Sequence, residues 1–513
     1  MNFEQALTRL VQAGAVLAAA VLVAGCGANY RPVVTPTSGS GPAAEPQSFV
    51  VAVSAPSATV PGIATIVDYS GNSIMASAEL GVNPIAFTLD EAGANGYTLN
   101  NDGTLYGFPV STSLQEKLVT HSTLPPTAKP LNLFSPSSGL WVADLCGGSL
   151  CGSAADVFAG SPESEQASVS VATTPVMVVG PSTVGTYDYA ISQKLVTATN
   201  PNPTGMECNS SPTAQPPGAV TVIAVSASSP SNDTSIQPPI PVGICPVYAV
   251  LSSDSNSYGS QRLFVLNRGS DTISVINTAT QALDTCTPFL NLSGQTVTCH
   301  PTLPLSTTAG LAQDAKNDVP AVAGPVYAEY NAVTSQLVVA NYDGGTISII
   351  DVALDKYGND SAAFGTTYTV KVGNNPASVT ALFYNGSYAY VANQADGTVS
   401  VVNLTSHTVE ATLPVTGHPR TVVSTQSSEE YGKVYVASPD SNELTIINAG
   451  GTNMNTVEAT LLLDGNLVDV RVSAQNGVSG NSNNVSRLAG YGQPCNLPGT
   501  APTASITACR ARQ

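Results

Sequence analysis

Few side chains in this sequence combine the types and the spacing that chemistry requires. The four histidines, His121, His300, His407 and His418, are scattered along the chain. No H-E-x-x-H, G-x-S-x-G, P-loop or G-x-G-x-x-G phrase occurs in a suitable context. Turns of the form Asn-x-Asp-Gly, such as Asn341-Tyr342-Asp343-Gly344, offer oxygen atoms to a cation. They lack the alternating ligands and the Glu at position twelve of a calcium loop, so they read as hairpin turns. The nine cysteines include no C-x-x-C pair and no haem-attachment motif, and Cys299-His300 is the sole Cys-His neighbour. Two residues remain as candidates for holding a ligand: His418 and Arg420, in Gly417-His418-Pro419-Arg420. No catalytic residue, cofactor or metal is expected.

Composition limits the partners further. With 16 Lys and Arg against 34 Asp and Glu, a formal charge of −18 excludes nucleic acid, which needs cations to neutralise phosphates. The acidity keeps a secreted protein soluble and requires no cationic partner. Only 10 % of residues are charged, while 44 Gly and 37 Pro accompany abundant Val, Thr, Ser and Asn. That is the composition of many short strands joined by turns.

Residues 10–24 form an uncharged run of fifteen, too short to span a bilayer and in the range of an export signal. The run ends in Val23-Ala24-Gly25-Cys26, which resembles the lipobox of bacterial lipoproteins. That resemblance implies a signal peptide over 1–25, lipidation of Cys26 and a membrane partner through the lipid. With Gly27 rather than Asp next, it also implies an outer-membrane location, on the periplasmic or surface face. An ordinary cleaved signal peptide is the competing reading. Residues 26–47, rich in Pro, Ser and Gly, read as a flexible tether. With Cys26 set aside, eight cysteines suit an oxidising compartment. Spacing favours four local bridges: Cys146 with Cys151, Cys208 with Cys245, Cys286 with Cys299, and Cys495 with Cys509 in a C-terminal extension over 476–513.

Residues 48–475 repeat themselves. The phrases LFVLNRGSDTISVIN from Leu263, LVVANYDGGTISIID from Leu337, AYVANQADGTVSVVN from Ala389 and VYVASPDSNELTIIN from Val434 align without gaps. The corner residues Asn267, Asn341, Asn393 and Ser438 each precede a phrase-ending Asn or Asp by ten positions. Each phrase is an apolar strand, a polar turn and an alternating strand, hence a β-hairpin. The corner asparagines are expected to bond turn backbone, and His407, in a blade-end segment, is expected to be exposed. A proline opens each unit at Pro84, Pro130, Pro175, Pro246, Pro325, Pro376 and Pro419, at intervals of 46, 45, 71, 79, 51 and 43. About 45 residues fit the four strands of a propeller blade.

Tyr390-Val391-Ala392-Asn393, with Asp396-Gly397-Thr398-Val399-Ser400-Val401-Val402-Asn403, resembles the YVTN β-propeller repeat family. The likeness is strong from 263 to 465 and fragmentary before that. It implies an all-β propeller of seven or eight four-stranded blades. Segments 49–80 and 466–473 are expected to share one blade, removing the open sheet edges. The innermost strands would then carry Arg420 toward the channel, where the other units offer Ile85, Leu131, Val176, Val247, Val326 and Ala377.

Fold does not dictate activity. The favoured expectation is a non-enzymatic scaffold binding a protein, peptide or glycan through loops and through the insertions near 185–240 and 286–320. The alternative is a lactonase-like propeller hydrolase with a channel-bound metal, whose carboxylate set is not visible in the sequence. Oligomeric state is not encoded in any recognisable motif.

Overall fold

The computed structural model describes residues 49–473, apart from 69–71, 91–92, 136–139, 148–151, 159–164, 181–186, 196–215, 227–231, 253–260, 292–293, 306–321, 332, 382–386 and 426–431; the side chains of 146–147, 152–158 and 452 are also excluded. The described residues all fall in the unit Pro46–Gln513. The export signal, Cys26, the tether, Cys151, Cys208 and the C-terminal extension with Cys495 and Cys509 lie outside the described residues, as does the Cys146 side chain. Among the described residues no helix is long and apolar enough to cross a membrane.

Antiparallel meanders build an eight-bladed propeller. Seven blades begin with the inner strands Pro84–Leu89, Pro130–Phe134, Thr173–Val179, Pro246–Leu251, Pro325–Asn331, Pro376–Ala381 and Thr421–Ser424, here blades 1 to 7. The eighth is composite: Phe49–Ala55, Pro61–Asp68 and Ser73–Val82 come from the N-terminal side, and Asn466–Val472 completes the sheet as its innermost strand. Each inner strand packs against the next, and Asn466–Val472 stands between those of blades 7 and 1. Eight, rather than seven, is thus the number of blades. The expected joining of the ends within one blade also holds. Phe49 and Ser473 fasten the seam, with Phe49 N–H donating to Ser473 Oγ at 2.7 Å and Ser473 N–H to Phe49 O at 2.8 Å.

Position in the blade follows from sequence. Inner strands such as Pro246-Val-Tyr-Ala-Val-Leu251 are buried throughout, because both faces meet neighbouring blades. Outer strands such as Thr408–Pro414 and Thr456–Leu462 share the phrase Thr-Val-Glu-Ala-Thr-Leu and are mostly exposed. The residue before five of the opening prolines is held at positive φ: Asn83 (51°), Thr174 (61°), Cys245 (55°), Gly324 (61°) and Asn375 (51°). This turn reverses the chain from the rim of one blade to the axis of the next.

The corner asparagines do something other than cap turn backbone. Asn267, Asn341 and Asn393 are fully buried. Each donates Nδ2–H across the hairpin to two hydroxyls: Thr272 and Ser274 (3.2 and 3.0 Å), Thr346 and Ser348 (3.1 and 2.9 Å), Thr398 and Ser400 (3.1 and 2.8 Å). The fixed spacing puts a Thr opposite the Asn and a Ser two residues on, so hydroxyls are nearer than carbonyls. Asn393 also accepts from Gly373 N–H at 3.2 Å, and a Cβ on Gly373 would come within 2.7 Å of its Cγ. Replacing Asn393 with Ala is expected to cost roughly 2–3 kcal/mol, read by urea denaturation. A loss below about 0.5 kcal/mol would show the clamp to be incidental.

Candidate functional site

Inner strands carry the most unusual side chains of the molecule. Glu329, on the inner strand of blade 5, is buried, hydrogen-bonds with the Thr380 hydroxyl and accepts from Ala381 N–H on blade 6. Burial pushes its carboxyl up to about 8, a rise those two bonds only partly offset. Thr380 Oγ1 lies 2.9 Å from Ser424 Oγ of blade 7, continuing the polar path. Ser378 Oγ donates to Arg420 O at 2.8 Å and accepts from Val422 N–H at 3.1 Å. Further round, Arg471 Nη2 donates to Asp469 Oδ2 at 2.8 Å and to Phe87 O of blade 1 at 3.2 Å. Polar side chains thus tie the inner strands together from blade 5 through the seam to blade 1.

Arg420 belongs to this belt and His418 does not. Arg420 is 6 % exposed and donates Nη2–H to Val468 O at 2.6 Å. His418 is exposed at the entry turn, its ring and backbone N–H both bonded to Asp440. The sequence reading placed the two together; the structure separates them across Pro419. Glu329, Asp469 and Arg471 escaped that reading. Two signals were available: Glu329 is an acid four residues after an opening proline, and Asp469 and Arg471 alternate with Leu467, Val468, Val470 and Val472 in the Asn466–Val472 strand.

A second cluster lies away from the axis. The outer strand of blade 4 is split into Ala282–Leu283 and Thr302–Pro304, which pair with opposite ends of the same neighbour, Thr272–Asn277. Between them, residues 284–301 form an insertion closed by the disulfide Cys286–Cys299 and containing the hairpin Phe289–Leu290 with Thr296–Val297. This is one of the four expected bridges; Cys245 is also disulfide-bonded. Phe289 and Leu290 are 43 % and 70 % exposed.

Beneath the insertion, buried Arg262 donates Nε–H to Asp284 at 3.1 Å and Nη2–H to Asp360 and Gly358 O, both at 3.2 Å. His300 Nδ1 is 2.8 Å from the other Asp360 oxygen. Burial and then the neighbouring Asp284 hold the Asp360 carboxyl above its usual range, against the bond from His300 and the charge of Arg262.

The histidines are otherwise structural. His121 stacks on Tyr106, His300 on Phe364 and His407 on Tyr368, with ring centroids 5.2, 5.2 and 3.9 Å apart. His407 is therefore half-buried, not exposed as its blade-end position suggested, and burial lowers its pKa. Among the described residues no three His, Cys, Asp or Glu side chains come together in a way that could hold a metal ion.

The architecture and its axial belt define an eight-bladed β-propeller. No protein-family model matches the chain, and no curated protein matches its sequence. Solved structures do resemble it: AztD of Citrobacter koseri, with a TM-score of 0.51 and 10 % identity over 83 % of this chain and 97 % of that one. The dihydro-heme d1 dehydrogenase NirN in complex with DHE aligns at 0.51 and 11 % over 90 % and 80 %. Sqt1 of Saccharomyces cerevisiae aligns at 0.51 and 10 % over 75 % and 87 %. At these identities the likeness is one of fold alone.

Proposed function

We propose that this protein is a non-enzymatic binding scaffold of the YVTN-repeat kind, exported and anchored at the outer membrane through a lipid on Cys26. Its partner is a protein, peptide or glycan met by loop faces and insertions. The observation that carries this reading is the split outer strand of blade 4. The repeated positions are absorbed in holding blades together, whereas residues 286–299 add no strand to a blade sheet. They are nonetheless fastened by a disulfide and a buried ion network, and they present Phe289 and Leu290 to solvent. Ordering a loop before binding removes part of the entropic cost of association.

Two measurements test the reading. Cys26→Ser is expected to release the protein from membranes while its thermal unfolding stays unchanged, since the tether separates lipid from core. Retention of the variant after a high-salt wash would refute the anchor. Purified protein is expected to show no lactone or ester hydrolysis, and Leu290→Asp to lower binding to its envelope partner at least tenfold. Hydrolysis that chelator removes and calcium restores would replace the scaffold reading with the hydrolase one.

A further inference from the structure

We infer that the channel wall between blade 7 and the composite blade is an oxyanion-binding site centred on Arg420. Three buried charged side chains meet there: Arg420, Asp469 and Arg471 are 6 %, 3 % and 6 % exposed. Asp469 is engaged directly by Arg471 at 2.8 Å. The same carboxylate is the favourable charge near Arg420, and Arg471 is an unfavourable one. Asp469 is thus ion-paired with Arg471, and the Arg420 guanidinium lies within reach of the charges of both.

The geometry shows which donor of Arg420 is open to an anion. Arg420 spends Nη2–H on the carbonyl of Val468, while its buried Nε meets no acceptor among the described residues. A guanidinium offers its donors in a rigid fork that matches two oxygens of a carboxylate or phosphate. Leaving such a donor buried and unmatched is costly. Arg420 is also held in place, its N–H bonded to Ala437 O at 2.9 Å and its carbonyl to Ser378. The fold itself does not ask for this arginine, because the equivalent residues of the other blades are Ile85, Leu131, Val176, Val247, Val326 and Ala377. The open donor belongs to a guanidinium, which repels a cation and suits the paired oxygens of an anion better than a neutral hydroxyl. The ligand class is a small molecule bearing a carboxylate or a phosphate. This inference rests on, and sharpens, the reading of the protein as a binding scaffold.

The test uses the full chain carrying Cys26→Ser, titrated separately with inorganic phosphate and with acetate against chloride at constant ionic strength. Calorimetry and melting temperature are the readouts. A saturable response is expected, and the tighter of the two arms identifies the oxyanion. Arg420→Gln should abolish saturation. Asp469→Asn, which removes the competing carboxylate, should tighten binding about tenfold, an outcome that a purely structural role for these residues would not produce. A wild type without saturable response, an Arg420→Gln variant that responds like it, or an Asp469→Asn variant that binds more weakly would each overturn the site. If Arg420→Gln does not fold, Asp469→Asn decides. Loss of the anion response alongside intact binding through Leu290 would remove the channel site and leave the scaffold standing.

Discussion

Replacing Arg262 with alanine is expected to cost about 3–5 kcal/mol of stability. The guanidinium is 2 % exposed and bridges two carboxylates, Asp284 and Asp360, from different blades. Without it, two buried acids face each other with His300 and Asn277, among the described residues, as polar partners for their remaining oxygens. The insertion should loosen as well, since Asp284 and His300 stand just outside the two cysteines of its disulfide. Urea denaturation measures the first effect, and faster amide exchange at Phe289–Leu290 measures the second. Arg262→Met combined with Asp284→Asn should recover part of the loss, because removing a buried charge together with its partner is far less costly than stranding one. A single alanine variant within 1 kcal/mol of the wild type would show that the network does not hold the insertion.

Glu329 predicts an inverted pH profile. Its carboxyl rises from 4.5 to about 8 on folding because it is buried on an inner strand. Between those values the folded protein binds the proton and the unfolded chain does not, so stability falls as pH rises through this window. Below about pH 4.5 the penalty is absent, and above about pH 8 it is complete, at roughly 5 kcal/mol. Glu329→Gln keeps an oxygen for Thr380 and Ala381 N–H without a proton to lose. The variant should match the wild type near pH 4.5 and exceed it at pH 9, as read by denaturation at both values. Parallel profiles for the two proteins would show that Glu329 is not the group responsible.

The repeated units were legible from the start, because a propeller spells its local structure in period-two strands, turn residues and an opening proline. Pro84, Pro130, Pro246, Pro325 and Pro376 each begin an inner strand, and the ten-residue offset after Asn267, Asn341 and Asn393 is the hairpin itself. Even the seam could be read, since 49–80 and 466–473 each lacked what the other supplied. The role of the corner asparagines could not, because whether an amide meets a carbonyl or a hydroxyl depends on which residue the register sets opposite it.

Charge is where sequence alone fell short. Arg420 stood out as the one cation among apolar equivalents, yet its partners come from a strand almost fifty residues later that enters the ring only when the chain closes. Arg262, Asp284, His300 and Asp360 are likewise distant in sequence, and none carries a motif. Local pattern determines strands and turns because neighbours in sequence make them. A buried charge is decided by neighbours in space, and for this chain those are supplied by the next blade, which only the closed tertiary structure brings into place.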